Sequence, residues 1–271
     1  MNPSHVQTAV EIVLRAGQIQ LARFGDDLKV DKKGAIDLVT QVDIEVETMC
    51  RAVIGERFPD HVVLAEELPN LPEATAGSGY TWIFDPIDGT VNFIHGLPIF
   101  CASLALEVAG RLEIGVVFDP NRQELFVAER GGGARLNGRP LTVSSTTALI
   151  DAMLCTGFPY DVHEMPAEVV GLFGAFIGRA RAVRRLGSAA LDLCYVAAGR
   201  LDGFWEQRLH PWDTAAAALI VEEAGGRVTD IQGQPFACRA GDILASNGPL
   251  HADMVGIVQR FSAAHSRNLT Y

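Results

Sequence analysis

Two segments near the start of the chain place apolar residues three or four positions apart. The segments 5–24 and 40–58 both follow this spacing, which predicts two amphipathic helices. The polar stretch 26–37 between them contains Lys29, Lys32 and Lys33 and predicts an exposed connection or a hairpin.

From residue 61 the pattern changes to short apolar runs that are typical of strands. These runs lie at 61–65, 80–84, 103–107, 114–118 and 124–128, and tight turns join the last three into a predicted antiparallel meander. Beyond residue 141, predicted strands at 182–186 and 202–206 alternate with predicted helices at 188–198, 212–224 and 249–264. We therefore predict a layered α/β protein, with a mixed, largely antiparallel sheet in residues 1–145 and a smaller α/β half in residues 146–271. The two halves are expected to form one integrated unit.

Composition narrows the class of function. The chain has 271 residues, of which 48% are hydrophobic, enough to bury a large core. Its 22 basic and 33 acidic residues give a net charge of -11, so binding to nucleic acid or an anionic membrane is not expected. The sequence has no apolar run of the ~20 residues that span a membrane. An odd number of scattered cysteines and the absence of a recognisable signal peptide predict a cytoplasmic protein without disulfides.

The apolar run 80–84 ends in two acids that flank a turn. Pro86 fixes the backbone there, so Asp85, the carbonyl of Ile87 and Asp88 can converge on one point. Oxygen donors of this kind select Mg²⁺, Mn²⁺ or Ca²⁺ over zinc. Because the chain is acidic, bound metal ions are also the simplest source of positive charge for an anionic phosphate.

Other residues extend this candidate site. Gly89 and Thr90 begin a short helix, whose free N–H groups suit a phosphate oxygen. Glu66 ends one predicted strand and Asp213 opens an apolar helix. Taken alone, Glu66 has the alternative interpretation of a surface acid, and Asp213 has that of a helix cap. Three acidic ends together favour a site for two or three metal ions.

Five motifs resemble those of the inositol monophosphatase family. They are Glu66-Glu67, the segment Asp85 to Phe93, Gly131 to Gly138, Leu186 to Ala190, and Trp212 to Ala216 running into Glu223 to Gly226. The resemblance covers nearly the whole chain, from Val30 to Asn247. It implies an αβαβα layered sandwich, a homodimer, lithium sensitivity and dependence on two or three Mg²⁺ ions, with Mn²⁺ as a possible substitute.

Roles are carried over from the family position by position. The resemblance implies that the metal ligands are Glu66, Asp85, the Ile87 carbonyl, Asp88 and Asp213. It implies that Thr90 with Asp43, or Glu66 itself, orients and deprotonates the attacking water. The substrate contacts it implies are Asp88, Gly89, Thr90, Gly187, Ser188, Glu206 and Asp213.

Some residues near the site also have a purely structural interpretation. Asp43 also fits a capping box with Thr40, and the two roles are compatible. Glu206 could be a solvated strand end. His95 and His210 lie near the site in sequence, and we interpret both as packing residues rather than metal ligands.

The implied reaction is hydrolysis of a phosphate monoester, above all myo-inositol 1-phosphate, by water activated at the metal site. Related enzymes act on fructose 1,6-bisphosphate, histidinol phosphate or 3'-phosphoadenosine 5'-phosphate, and these substrates stay open. A haloacid-dehalogenase-type phosphatase is disfavoured because its two aspartates are two residues apart, whereas Asp85 and Asp88 are three apart. A regulatory interaction protein that retains the fold is a further alternative.

Overall fold

A computed structural model describes residues 3–26, 30–32, 38–70 and 79–268 of the chain. The helices in these ranges are α1 Pro3–Arg23, α2 Gln41–Arg57, α3 Thr90–Ile94, α4 Pro166–Ile177, α5 Ala189–Ala197, α6 Pro211–Glu223 and α7 His251–Asn268. The two N-terminal helices predicted from apolar spacing are confirmed as α1 and α2. Two short strands, β1 Val30–Lys32 and β2 Leu38–Thr40, pair antiparallel before α2, which confirms the predicted hairpin. Residues 27–29 and 33–37 of this region, including Lys29 and Lys33, lie outside the described residues.

The larger sheet has seven strands. They are β3 Val62–Ala65, β4 Tyr80–Asp88, β5 Cys101–Val108, β6 Arg111–Asp119, β7 Glu124–Glu129, β8 Gly133–Leu136 and β9 Arg139–Pro140. They lie side by side in sequence order. The pair β3–β4 is parallel, and every following pair is antiparallel. The predicted mixed, largely antiparallel sheet and its meander are confirmed.

The smaller sheet has five strands. They are β10 Met153–Thr156, β11 Ala182–Arg184, β12 Gly203–Glu206, β13 Arg227–Thr229 and β14 Ile243–Ser246. Their spatial order is β11-β10-β12-β14-β13. The central strand β12 is parallel to β10 and antiparallel to β14. The apolar pattern had not predicted β10, β13, β14 or helix α4.

Three hydrophobic clusters stack the elements in layers. The first joins α1 and α2 to one face of the large sheet, through residues such as Val46, Trp82 and Leu104. The second joins α5 and α6 to both sheets, so these helices form the middle layer. The third covers the outer face of the small sheet with α4 and α7. The predicted αβαβα sandwich is therefore confirmed, while the division at residue 145 into two functional halves stays a prediction.

Among the residues that the structure describes, no helix is both long and apolar enough to cross a lipid bilayer.

Candidate metal centre and active site

Three aspartates from two elements meet at the C-terminal end of β4. Asp85 and Asp88 lie at the end of β4, and Asp213 lies in the first turn of α6. One carboxylate oxygen of each lies within 4.8 Å of the others. The sequence prediction that these three acids converge therefore agrees with the structure, although their roles stay a prediction.

A β-bulge explains how Asp85 and Asp88 reach the same point. Residues three apart on a regular strand point to opposite faces of the sheet. In β4, Asp85 pairs with Ser103 and Asp88 pairs with Cys101. Two residues therefore lie between the paired positions on β4, whereas only one residue lies between them on β5. This irregularity changes the alternation and turns both carboxylates toward Asp213. The N–H of Ile87 donates to Asp85 Oδ1 at 2.9 Å and fixes that side chain.

The carboxylates of this cluster are buried close together, so a bound cation would stabilise their negative charge. Burial is the main cause that raises the pKa of Asp85, and the charges of Glu66, Asp88 and Asp213 raise this pKa further. The pKa of Asp213 is raised for the same reasons, first burial and then Glu66 and Asp88. Acids in this position either retain protons or share a cation. Since every donor is a hard oxygen, the residues fit a divalent ion such as Mg²⁺ or Mn²⁺.

Asp88 is held by the beginning of α5. The N–H groups of Ala189 and Ala190 donate to its carboxylate at 3.2 and 2.8 Å. The hydroxyl of Ser188 donates to the same carboxylate and also accepts from the N–H of Leu191. Burial raises the pKa of Asp88, and these hydrogen bonds oppose the rise, so that the pKa is about 6. The hydroxyl of Ser188, a predicted substrate contact, is thus bonded to Asp88 and only 1% of the residue is exposed.

Glu66 lies beside the three aspartates and is not part of their close cluster. It follows β3, and its charge acts on both Asp85 and Asp213. The segment that carries it is anchored by the fully buried Glu47 of α2, which accepts from the N–H groups of Glu67 at 2.7 Å and Leu68 at 3.1 Å. Sequence reasoning missed Glu47, although an acid on the apolar face of α2 was a signal that could have revealed it.

Thr90 and Asp43 meet at the beginning of α3. The Thr90 hydroxyl lies 2.9 Å from the Ile87 carbonyl oxygen and 3.4 Å from Asp43 Oδ1. The other oxygen of Asp43 accepts from the N–H of Thr40 at 2.8 Å, which completes the capping box of α2. Asp43 therefore has the structural role and lies within reach of Thr90 as well. Gly89 precedes Thr90 with φ 102°, and a Cβ there would lie 2.8 Å from the Ile99 carbonyl oxygen, so the position requires glycine.

A cavity of about 450 Å³ opens beside the acids. All the predicted substrate contacts line it, namely Asp88, Gly89, Thr90, Gly187, Ser188, Glu206 and Asp213. Glu206 is buried at the end of β12, and burial raises its pKa to about 8, with Asp88 adding to the shift and Arg185 opposing it. It is therefore not a solvated strand end.

Further residues line the cavity that the sequence analysis did not assign to the substrate site. Arg185 and Asp192 line the cavity, and the sequence pattern had not singled them out as part of the site. His95 and His210 also line it and are absent from the acidic cluster. The ring of His210 stacks on Trp212 at 4.8 Å, in agreement with a packing role.

The layered fold brings an acidic oxygen cluster to the wall of a cavity, an arrangement that suits a divalent cation and an anionic ligand. The sequence model of the inositol monophosphatase family matches residues 2–263. The chain belongs to this family, as its motifs predicted.

Similar proteins carry two kinds of name, Nus factor SuhB and inositol monophosphatase. The chain is 45% identical to the Nus factor SuhB of Pseudomonas aeruginosa over 82% of this chain and 83% of that protein. It is 42% identical to the inositol-1-monophosphatase of Synechocystis over 93% of this chain and 89% of that protein. Its structure is similar to that of the Thermotoga maritima IMPase, with a TM-score of 0.88, 36% identity and coverage of 96% and 99% of the two chains.

Proposed function

We propose that the protein hydrolyses phosphate monoesters with Mg²⁺, and that myo-inositol 1-phosphate is its preferred substrate. The observation that carries the proposal is the close approach of Asp85, Asp88 and Asp213 at the wall of a substrate-sized cavity. Membership of the inositol monophosphatase family supports it. We propose that Glu66 and the Ile87 carbonyl complete the ligand set, that two or three ions bind, and that Mn²⁺ can substitute.

When bound, the ions supply positive charge for the phosphate and lower the pKa of a bound water. Thr90 and Asp43 are proposed to orient that water. A hydroxyl has one proton, so Thr90 donates a hydrogen bond either to Ile87 or to Asp43, and its oxygen can accept a hydrogen bond in turn. If the Ile87 carbonyl served as a metal ligand, the Thr90 hydroxyl would donate to Asp43 and its oxygen would be free to accept a hydrogen bond from the water. Attack on phosphorus by the water oxygen would form one P–O bond and break the bond to the alcohol oxygen; the water would lose a proton and the alcohol oxygen would gain one from solvent, and no phosphoenzyme would form.

The test is phosphate release by purified protein from a panel of phosphate esters, measured against Mg²⁺ concentration. The proposal expects turnover of myo-inositol 1-phosphate that rises with Mg²⁺ and is abolished by a chelator. Fructose 1,6-bisphosphate, histidinol phosphate and 3'-phosphoadenosine 5'-phosphate belong in the panel as competing substrates. If no ester is turned over at millimolar Mg²⁺, the phosphatase proposal fails.

A second candidate is a regulatory role as a Nus factor, which the name of the Pseudomonas aeruginosa relative favours. The net charge of -11 favours protein partners over nucleic acid for this role. The two roles are separated by replacing the chromosomal gene with one encoding Asp85→Asn. A variant without phosphatase activity that still supports normal growth, where deletion does not, would establish the regulatory role. Equal defects in both strains would assign the phenotype to catalysis.

A further inference from the structure

An arginine of the cavity wall has a backbone conformation that residues with a Cβ rarely adopt. Arg208 lies in the left-handed region with φ 60°. The other non-glycine residues of positive φ in the described part of the chain are Ala109, Gln123 and Asn137, and each lies in a turn between two strands of the large sheet. Arg208 lies instead between β12 and α6 and lines the cavity. Glycine is the residue expected in this conformation, and strain of this kind is retained mostly at functional sites.

The backbone of Arg208 is held by a neighbouring loop. The N–H of Arg208 donates to Asp242 Oδ1 at 3.2 Å, and the N–H of Leu209 donates to the carbonyl of Gly241 at 2.7 Å. A Cβ at Gly241 would lie 3.2 Å from the Leu209 carbonyl oxygen and 3.5 Å from the Cα of Arg208, so the two loops are in close contact. A glycine at position 208 could form the same backbone contacts. They therefore do not explain why this position carries an arginine.

The side chain of Arg208 joins two parts of the cavity wall. Its Nη1 donates to Oδ2 of Asp161, which lies 47 residues earlier in the chain. Asp161 ends the wall segment, which we define as residues 157–161 between β10 and α4. The first four residues of the wall segment line the cavity, as do Arg208, Leu209 and His210. The ion pair therefore connects two lengths of chain that bound the same space.

The wall segment leads into a turn that is shaped by local hydrogen bonds. The N–H of Val162 donates to the carbonyl of Pro159 at 3.0 Å, and the N–H of Glu164 donates to the carbonyl of Asp161 at 2.8 Å. Oδ1 of Asp161 is buried and has no hydrogen-bond partner among the described residues, so this carboxylate is held through Oδ2. Local bonds fix the shape of the turn, whereas the bond to Arg208 fixes its distance from the loop before α6.

We propose that Arg208 is a positioning residue, whose ion pair with Asp161 holds the wall segment against the loop before α6 and keeps the cavity in the shape that binds the ester. The effect of this clasp on KM rests on the proposed phosphatase activity, whereas its effect on the mobility of the wall segment does not. The arginine side chain supplies a contact that glycine cannot, which accounts for the strained backbone at this position. Since both side chains are partly exposed, the clasp opens at little cost when ester enters or product leaves.

The test uses the single variants Arg208→Asn and Asp161→Asn. Asparagine tolerates the left-handed conformation and carries no charge. KM and kcat for myo-inositol 1-phosphate are measured together with amide hydrogen exchange of residues 157–165. In each variant KM should rise about two- to fivefold with kcat unchanged, and residues 157–165 should exchange faster. The double variant should be no worse than either single variant, because both remove the same contact. The reversed pair Arg208→Asp with Asp161→Arg should restore both measurements.

The ion pair between Arg181 and Asp151 provides the matched control. It has an N–O distance of 2.7 Å, both side chains are exposed, and neither residue lines the cavity. Arg181→Asn and Asp151→Asn should leave KM and the exchange of residues 157–165 unchanged.

Three outcomes overturn the proposal without affecting the proposed function. A lower KM in Asp161→Asn would show that Arg208 binds the anionic ester directly and that Asp161 competes with it. Unchanged KM and exchange in both variants would show that the pair positions nothing. Faster exchange throughout the chain, with a lower thermal midpoint, would show that the pair only supports the fold. If wild-type protein turns over no ester, the phosphatase activity is refuted, and the exchange of residues 157–165 alone decides whether the clasp exists.

Discussion

Glu47 provides the sharpest test of how the fold positions the metal site. Its Oε1 accepts from Arg51 Nε at 2.8 Å and from the N–H of Leu68 at 3.1 Å, and its Oε2 accepts from the N–H of Glu67 at 2.7 Å. Substitution Glu47→Gln keeps the shape of the side chain, removes its charge and turns one acceptor into a donor. That donor then faces a donor of Arg51, Glu67 or Leu68.

The size of the effect follows from these contacts. A hydrogen bond that involves a charged group contributes about 1.5 to 3 kcal/mol, and a buried donor without an acceptor costs about 1 to 3 kcal/mol. We expect Glu47→Gln to lower the free energy of unfolding by roughly 2 to 4 kcal/mol. Because the released segment carries Glu66, the Mg²⁺ concentration for half-maximal phosphatase activity should also rise.

The assay is urea unfolding followed by circular dichroism, with a Mg²⁺ titration of activity on the same samples. Glu45→Gln is the matched control on α2. Its side chain is half exposed and lies 3.7 Å from Arg23, so its loss should change stability by less than about 0.5 kcal/mol. Equal stability of the Glu47 and Glu45 variants would refute the reasoning that Glu47 anchors the Glu66 segment.

The remaining predictions concern the metal cluster, its support and a buried histidine. Asp85→Asn and Asp213→Asn should each abolish phosphate release. In the presence of a chelator, each should also raise the midpoint temperature of thermal unfolding, because one of several close acids is removed. A variant that is active or unfolded contradicts this prediction. Gln20→Leu removes the hydrogen bond of 2.7 Å from Gln20 Nε2 to the carbonyl of Pro86, so half-maximal activity should need several-fold more Mg²⁺; an unchanged titration contradicts this. Burial lowers the pKa of His251 from 6.5 to about 4, so the unfolded state takes up the proton first and stability should fall as the pH drops from 6.5 to 4, by up to about 3 kcal/mol. In His251→Gln, urea unfolding across this range should show a smaller fall; an identical pH profile would refute the assignment.

Local sequence patterns predicted most of the fold where segments are long. The apolar spacing of α1 and α2 and the alternation in β5, β6 and β7 repeat over enough residues to be recognised. By contrast, β10, β13 and β14 have only three or four residues each. Helix α4 contains Gly171 and Gly174 within an apolar run, which obscures its helical pattern. These elements form through packing on distant parts of the chain.

The candidate site was predictable to the extent that its residues end strands or begin helices. Asp85, Asp88 and Asp213 stood out because acids follow or precede apolar runs. The bulge that turns Asp85 and Asp88 to one side depends on pairing with β5 and could not be seen in the sequence. Glu47 stands out as an acid on the apolar face of α2, but the backbone that it binds lies 20 residues further along the chain, so the sequence alone does not show what it holds in place.

The most direct test of the central claim is phosphate release from myo-inositol 1-phosphate as a function of Mg²⁺ concentration, for wild-type protein and Asp213→Asn. The account predicts that wild-type activity rises with Mg²⁺ to saturation and that the folded variant is inactive at every concentration. Wild-type turnover that is independent of divalent ions, or a fully active Asp213→Asn protein, would contradict the assignment of the acidic cluster as a catalytic metal centre.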